Sequence, residues 1–199
     1  MKMLNRLMTL ALLISQPGLA MTPSGVRSGG LPSTLPVDSR CSLSAGGQVI
    51  DYGNLSRWQL QDATGSANTL TPGKRTLMVS VVCPYTQAMR LTLRGESAAN
   101  GNLRYGERGN MRIALRDAQL DGQSVQFATT TVDGTLNGAP AATLALQPGQ
   151  TFTAMTAGGV AKGRSLTLRL EIEPVLPEAE ARTSMRRISE AQLTLDLGN

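Results

Sequence analysis

Two cysteines, Cys41 and Cys83, are the side chains of this sequence that could form a covalent bond with each other. They lie 42 positions apart, whereas a redox motif would place them two residues apart. In an oxidising compartment we expect them to pair, and closing a loop of this length stabilises a fold by about 4 kcal/mol on the chain-entropy model. The alternative is a pair of free buried thiols.

The residue that enzymes most often use as a general base is missing. The sequence contains no histidine, which removes Ser-His-Asp and Cys-His arrangements and most zinc sites. Glu171 and Glu173 alternate with apolar residues, so we expect both carboxylates to face solvent rather than to form an acid–base pair. The glycine-containing segment GERGNM (106–111) lacks the helix that a phosphate-binding loop needs. The sequence therefore predicts no enzyme, no cofactor, no metal site and no small-molecule substrate.

The charge pattern argues against nucleic-acid binding. The formal net charge is +5 and only 3% of the residues are aromatic. The arginines of the predicted strands are scattered among apolar residues, and no aromatic platform accompanies them. We expect no nucleic-acid partner.

The first twenty residues are typical of a signal peptide. Lys2 and Arg6 precede an apolar run (residues 7–14), and small residues follow at the cleavage site before residue 21. A short membrane anchor or a buried helix is the alternative, but the run is shorter than the roughly 20 residues that span a bilayer. Removing residues 1–20 leaves a net charge of +3 and a chain that we expect outside the cytoplasm. Residues 21–40, rich in Pro, Gly and Ser, then form an extended N-terminal segment.

From residue 41 to residue 199 the pattern is almost entirely that of short β-strands, in which apolar residues alternate with polar ones. Gly46 and Gly47 predict a bend in the first strand, and the Asp121–Gly122 pair predicts a hairpin turn. Residues 76–83 read as a strand buried on both faces that forms a hairpin with the next. An all-β sandwich with Greek-key wiring is predicted, and a barrel is the alternative. The predicted strands cover residues 41–53, 76–83, 88–95, 111–120, 124–132, 142–147, 151–155, 164–174 and 191–199.

The last predicted strand, AQLTLDLGN, raises a problem of pairing. Leu193, Leu195 and Leu197 form one apolar face, and no later strand is predicted that could pair with it. Its edge carries neither the lysine nor the proline with which natural edge strands prevent aggregation. We expect this edge to be covered by another protein chain.

Several features, taken in order, resemble the chaperone–usher fimbrial subunits, or pilins. These are the signal peptide, the extended segment, a cysteine that opens the first strand, VIDYGNLS (49–56) just after it, a second cysteine that ends TLMVSVVC (76–83), and the closing strand. The sequence looks most like a minor or fimbrial-like branch of that family. The resemblance implies an incomplete immunoglobulin-like sandwich that lacks its last strand and contains one disulfide.

The resemblance also implies how such a sandwich is completed. A groove beside the terminal strand would accept a strand of a periplasmic pilus chaperone, and later the N-terminal extension of a neighbouring subunit at the outer-membrane usher. The protein would reach the periplasm and then a cell-surface fimbrium, where it would contribute to cell adhesion. The implied groove residues are Val49, Leu193, Leu195 and Leu197, and the implied donor residues are Val26, Leu31, Leu35 and Val37.

Two alternatives remain open. Pro32 and Pro36 each remove a backbone donor, so residues 21–40 could be a plain flexible leader without a docking role. The protein could also be a self-complete secreted sandwich that recognises a carbohydrate or a protein, as an adhesin would. The low aromatic content argues against sugar stacking, and Trp58 is equally well explained as a core residue.

Overall fold

The alternating segments form antiparallel strands in the computed structural model, which describes residues 40–47, 49–182 and 188–198. A 3-10 helix covers Arg57–Gln59, and a single α-helical turn, α1, covers Glu178–Ala181. The strands are β1 (Ser42–Ala45), β2 (Gln61–Asp62), β3 (Thr69–Thr71), β4 (Arg75–Ala88), β5 (Arg90–Gly95), β6 (Leu103–Tyr105), β7 (Gly109–Leu120), β8 (Gln123–Ser124), β9 (Gln126–Thr130), β10 (Leu136–Ala141), β11 (Leu144–Leu146), β12 (Thr151–Thr156), β13 (Gly159–Val160), β14 (Lys162–Pro177) and β15 (Leu193–Gly198).

These strands form two antiparallel sheets. In the first sheet the order is β1-β4-β14-β7; β3 pairs with the far end of β14, β2 pairs with β3, and β6, β8 and β11 pair with β7. In the second sheet the order is β10-β9-β12-β5-β15, and β13 pairs with β12. The prediction of an all-β sandwich is confirmed.

The core lies between the sheets and follows the predicted alternation most clearly in β14. Leu166, Leu168, Leu170 and Ile172 are all at most 1% exposed. Each such side chain stabilises the fold by about 1.5–3 kcal/mol through burial. The second sheet supplies the two phenylalanines, Phe127 and Phe152, whose rings meet edge to face with centroids 6.1 Å apart.

The predicted hairpin between residues 76–83 and the following strand is wrong, because β4 and β5 belong to different sheets. The chain crosses between the sheets at Met89, which is 2% exposed and whose carbonyl accepts a hydrogen bond from Thr153 Oγ1 at 2.9 Å. Burial of β4 on both faces is also wrong, since Met78 and Val82 are 53% and 52% exposed. The β-branched residues of β4 favour a strand, but they do not determine whether its second face is covered.

The Asp121–Gly122 turn forms as predicted, although the hairpin is short. Both residues have positive φ, +50° and +80°, as a two-residue mirror-image turn requires. Pairing between β7 and β8 stops at Ser124, and the chain then crosses into β9 of the second sheet. The Asp121 carboxylate accepts hydrogen bonds from the backbone N–H groups of Arg164 and Ser165, which fixes the turn to β14.

The strand order is that of an immunoglobulin-like sandwich that lacks one strand. The order β1-β4-β14-β7 matches the A-B-E-D sheet, and the adjacent strands β5 and β15 match C and F. No strand among the described residues occupies the seventh position, G, on the open side of β15. β9, β10 and β12 extend the second sheet on the other side of β5.

β1 and β15 lie at the same margin of the sandwich. The chain crosses directly from β4 of the first sheet to β5 of the second. It also crosses directly from β8, which pairs with β7, to β9. The strands that the chain connects therefore lie in the same order across the two sheets. β1 is the outermost strand of one sheet and β15 is the outermost strand of the other. We call this side the β1/β15 margin.

The disulfide between Cys41 and Cys83 is present, as predicted, and it closes the start of β1 onto β4. Cys83 is 1% exposed, so its sulfur is part of the core at the β1/β15 margin. No free cysteine remains, and no helix within the described residues is long and apolar enough to cross a membrane.

Replacing both cysteines by serine should lower the free energy of unfolding by about 4 kcal/mol, because the unfolded chain regains the freedom of the 42-position loop. Chemical denaturation of the natural chain and of the Cys41→Ser/Cys83→Ser variant measures this difference. A reducing agent should destabilise the natural chain and leave the variant unchanged. Equal unfolding midpoints for the two chains would contradict a stabilising role for the bond.

Candidate strand-accepting margin

The apolar face of β15 is only half covered. Leu193, Leu195 and Leu197 pack against the core but remain partly exposed. Their neighbours one strand further in, Leu91 and Leu93 of β5, are completely buried. Burial therefore falls off within one strand of the margin, although the residues on both strands are leucines.

The backbone of the same three leucines faces the open side. Leu93 N–H donates to the carbonyl of Gln150 at 3.0 Å, so the backbone groups of Leu93 point away from β15. Successive residues of an antiparallel strand point their backbone groups to opposite sides, so Thr92 and Arg94 are the residues of β5 that bond β15. These two residues lie opposite Asp196 and Thr194. The N–H and C=O groups of the intervening leucines therefore point outward, where no described strand pairs with them.

The other face of β15 carries polar side chains. Thr194 is exposed, and Asp196 forms a solvent-exposed ion pair with Arg94 on β5. An exposed pair of this kind contributes at most about 1 kcal/mol. It fixes which face of β15 is directed to water, so the leucine face is directed to the core.

The opposite wall of the margin is β1. Leu43 is half-buried and packs against the core, while Ser42 and Ser44 face solvent. β1 pairs with β4 alone among the strands that the structure describes, with Leu43 opposite Val81. Each wall thus presents partly exposed apolar side chains, and beside them lie backbone N–H and C=O groups that no described strand bonds.

Val49, which the sequence predicts as a groove residue facing inward, is 83% exposed. β1 ends at Ala45, and the chain bends at Gly46 and Gly47, which shifts the alternation by one residue. Ile50 is consequently the residue that packs against the core. A one-residue shift in a strand moves the side chains that follow it to the opposite face. The predicted donor residues Val26, Leu31, Leu35 and Val37 lie outside the described residues.

The segment Asp51–Tyr52–Gly53 contacts β14 and β4. The Asp51 carboxylate accepts a hydrogen bond from Gly53 N–H at 2.7 Å, and Gly53 has a φ of +70° that favours glycine. The Tyr52 hydroxyl donates to the carbonyl of Ile172 at 3.4 Å, and the Arg75 guanidinium lies 5.7 Å from the centre of the Tyr52 ring. The sequence predicts a resemblance for this segment but not its contacts with β14 and β4. The signal for these contacts is that Tyr52, two residues after Ile50, faces the same side as Ile50.

Burial raises the pKa of the Tyr52 hydroxyl from 10.0 to about 12, and the nearby Tyr105 and Glu173 add to the shift while Arg75 opposes it. Burial also raises the pKa of Tyr105. The two tyrosines therefore stay protonated in the folded chain at pH values that ionise them in the unfolded chain.

Glu173 does not face solvent as the alternation predicts. It is 8% exposed and pairs with Arg112, with 3.5 Å between Nη1 and Oε2. The same guanidinium donates to the carbonyl of Thr64 and to Ser66 Oγ, both at 2.7 Å. The connection before β3 therefore folds over this part of the outer face, which the period of two residues within β14 cannot predict.

No model of a known protein family matches the sequence, and no curated protein does. Among solved structures, the chain is similar to the P pilus rod subunit PapA. The two chains are 14% identical, the alignment covers 79% of this chain and 96% of that chain, and the TM-score is 0.36.

Between pH 10 and pH 12 the natural chain should lose stability, because the unfolded chain releases the Tyr52 proton near pH 10 while the folded chain holds it to about pH 12. The stabilising contribution is complete below pH 10 and is lost as the pH rises towards 12. Urea unfolding of the natural chain and of Tyr52→Phe over this range measures it.

The Tyr52→Phe variant should show a smaller loss, with Tyr105 accounting for part of what remains. Since lysine deprotonation affects both proteins equally, the difference between the two curves isolates Tyr52. Parallel curves would rule out the protonated, hydrogen-bonded hydroxyl as a contributor.

Proposed function

We propose that this protein is a structural subunit of a chaperone–usher fimbria and that it assembles by donor-strand complementation. The observation that carries the proposal is β15, whose three leucines turn partly exposed side chains to the core and outward-facing backbone groups to the open side. One added strand would satisfy both, because it brings hydrogen-bond partners and apolar side chains together. The margin has the features of a strand-binding site.

The added strand would occupy the G position of the immunoglobulin-like order. It would cover Leu193, Leu195 and Leu197 on β15 and approach Leu43 on β1. Burying these side chains further contributes roughly 25 cal/mol for each Å² of apolar surface removed from water. Such a strand binds by backbone hydrogen bonds and selects its partner by the apolar side chains that fit between the sheets.

Residues 21–40 of a neighbouring copy are the proposed donor. Leu31, Leu35 and Val37 share one parity, and Pro32 and Pro36 share the other. Since the backbone groups of a strand alternate in direction, both prolines remove donors toward the same neighbour and leave the donors of the other edge intact. Over residues 31–37 such a strand can pair fully along one wall of the margin and only partly along the other.

Before assembly, a periplasmic chaperone would supply the missing strand, and an outer-membrane usher would exchange it for the donor segment of a neighbouring subunit. In this account residues 1–20 direct the chain to the periplasm, residues 21–40 donate and residues 41–199 accept. The subunit would then contribute to cell adhesion as part of a surface fibre. A self-complete secreted binding module is the competing function, and it predicts a stable monomer.

Leu195→Asp should weaken capture of a peptide with the sequence of residues 21–40 by at least about tenfold, because complementation would bury an unpaired carboxylate. Thr194→Asp is the matched control, since the same substitution one residue earlier projects from the exposed face. Titration of the labelled peptide into residues 41–199 measures both affinities, and circular dichroism checks that both variants fold. Equal weakening by the two substitutions would contradict the assigned faces.

Deleting residues 21–40 should convert a chain that forms oligomers into one that does not, while the sandwich stays folded. Sedimentation velocity of residues 21–199 and residues 41–199 measures the difference, and adding the peptide should raise the thermal midpoint of the shorter chain. A thermostable monomer that is unaffected by the deletion would contradict fibre assembly and support the self-complete module.

A further inference from the structure

The start of β1 lies beside exposed apolar side chains of β4. Ser42 pairs with Val82, which is 52% exposed, and Tyr85, three residues further along β4, is 63% exposed. Tyr85 lies in a wide bulge of β4, because Cys83–Thr86 lie opposite the single residue Arg164 of β14. We call Val82 and Tyr85 the Tyr85 patch.

A second group of exposed apolar side chains lies at the other end of β1. The N–H group of Gly46, the first residue after the strand, donates to the carbonyl of Met78 at 2.8 Å. Met78 is 53% exposed, and Val49, which follows the bend, is 83% exposed. Trp58, further along the same connection, is 93% exposed and so is not the core residue that the sequence equally allows. We call Met78 and Val49 the Val49 patch.

The N-terminal extension joins the sandwich beside the Tyr85 patch. The disulfide fixes Cys41, the residue before β1, to Cys83 on β4. Val37, the last proposed donor residue, is four positions before Cys41, so their Cα atoms are at most about 14 Å apart in a fully extended chain. A domain of this size has a radius of gyration of about 15 Å. A subunit whose Val37 lies in a neighbour's margin therefore touches that neighbour with the surface around Cys41, which includes the Tyr85 patch.

The neighbour's side of this contact follows from strand length and symmetry. A donor strand over residues 31–37 is about 20 Å long, whereas the four residues of β1 span about 13 Å. Val37 therefore emerges near one end of the neighbour's β1, next to one of its two patches. At the neighbour's Tyr85 patch, two like surfaces would face each other and the pair would close into a dimer. An open fibre joins unlike surfaces, which requires that Val37 emerges at the Val49 patch.

We propose that the Tyr85 patch of one copy packs against the Val49 patch of the copy that accepts its donor segment. The inference rests on the proposed function, because the donor segment is what brings the two patches together. The short linker holds them at a high effective concentration. A few side chains therefore suffice, although a free protein–protein interface needs about 800 Å² on each partner. The contact stabilises the joint between successive subunits and fixes their relative orientation.

Val82→Asp should weaken self-association of residues 21–199 by at least about fivefold, because the contact would cover a carboxylate with apolar side chains. Val132→Asp is the matched control and should associate as the natural chain does. Val132 is 87% exposed in the turn after β9, and β9 is three strands from β15 in the second sheet. Sedimentation velocity over a concentration series measures the association, and circular dichroism verifies that each variant folds.

A charge pair across the joint tests the contact itself. In the Val82→Asp/Val49→Lys double variant, the carboxylate of one copy faces the ammonium group of the next. Association should therefore be at least about threefold stronger than for Val82→Asp alone. Capture of the labelled peptide with the sequence of residues 21–40 should be unchanged by Val82→Asp, because the peptide carries no Tyr85 patch.

The outcomes separate this inference from the proposed function. Failure of the peptide to bind the natural chain would overturn the proposed function and the inference with it. The inference alone is overturned if the peptide binds but Val82→Asp and Val132→Asp associate equally well. It is also overturned if adding Val49→Lys to Val82→Asp restores no association.

Discussion

Backbone N–H and C=O groups beside a partly buried apolar row need a partner, and this requirement dominates the β1/β15 margin. An unpaired edge strand with three leucines is prone to pair with any extended chain it meets. In β15 the Asp196 carboxylate and half of the backbone groups are bonded by β5, whereas the leucines and the other half of the backbone groups have no described partner strand. The proposed addition of a single strand in the G position would supply partners for both the leucines and these backbone groups.

The rest of the sandwich makes this margin rigid without closing it. The disulfide fixes the start of β1, and the fully buried leucines of β5 support β15 from inside. Tyr52 holds the segment after β1 in place through a hydrogen bond to the carbonyl of Ile172 and a cation–π contact with Arg75. Binding of a strand to a preformed margin avoids the entropy cost of ordering it.

Local patterns in the sequence predict the strands well and their partners less well. The alternation in residues 164–174 determines which side chains of β14 form the core, because a period of two residues is a property of the strand itself. Residues 76–83 and 88–95 also form strands, but a short connection at Met89 serves a hairpin and a crossing between sheets equally. Val49 is exposed rather than buried because the bend at Gly46 and Gly47 changes which side chains of the strand face inward. Glu173 is buried rather than exposed because the loop that covers it comes from another part of the chain.

The same distinction between local pattern and distant contact applies to the residues of the candidate site. The three leucines of β15 could be identified from alternation alone, whereas the direction of their backbone groups follows only from the hydrogen bond between Leu93 and Gln150. The exposure of Trp58 could not be predicted either, since composition does not distinguish a core tryptophan from a displayed one. Residues 21–40 are proposed as the donor on the pattern of their sequence alone.

Hydrogen–deuterium exchange of the β15 amides, resolved by NMR, tests the central claim most directly. In residues 41–199 alone, the amides of Thr194 and Asp196 should exchange slowly and those of Leu193, Leu195 and Leu197 rapidly, because only the first two face β5. Addition of the peptide with the sequence of residues 21–40 should protect the leucine amides as well. Leucine amides that are already protected in the isolated chain, or that stay unprotected when the peptide is bound, would contradict the account.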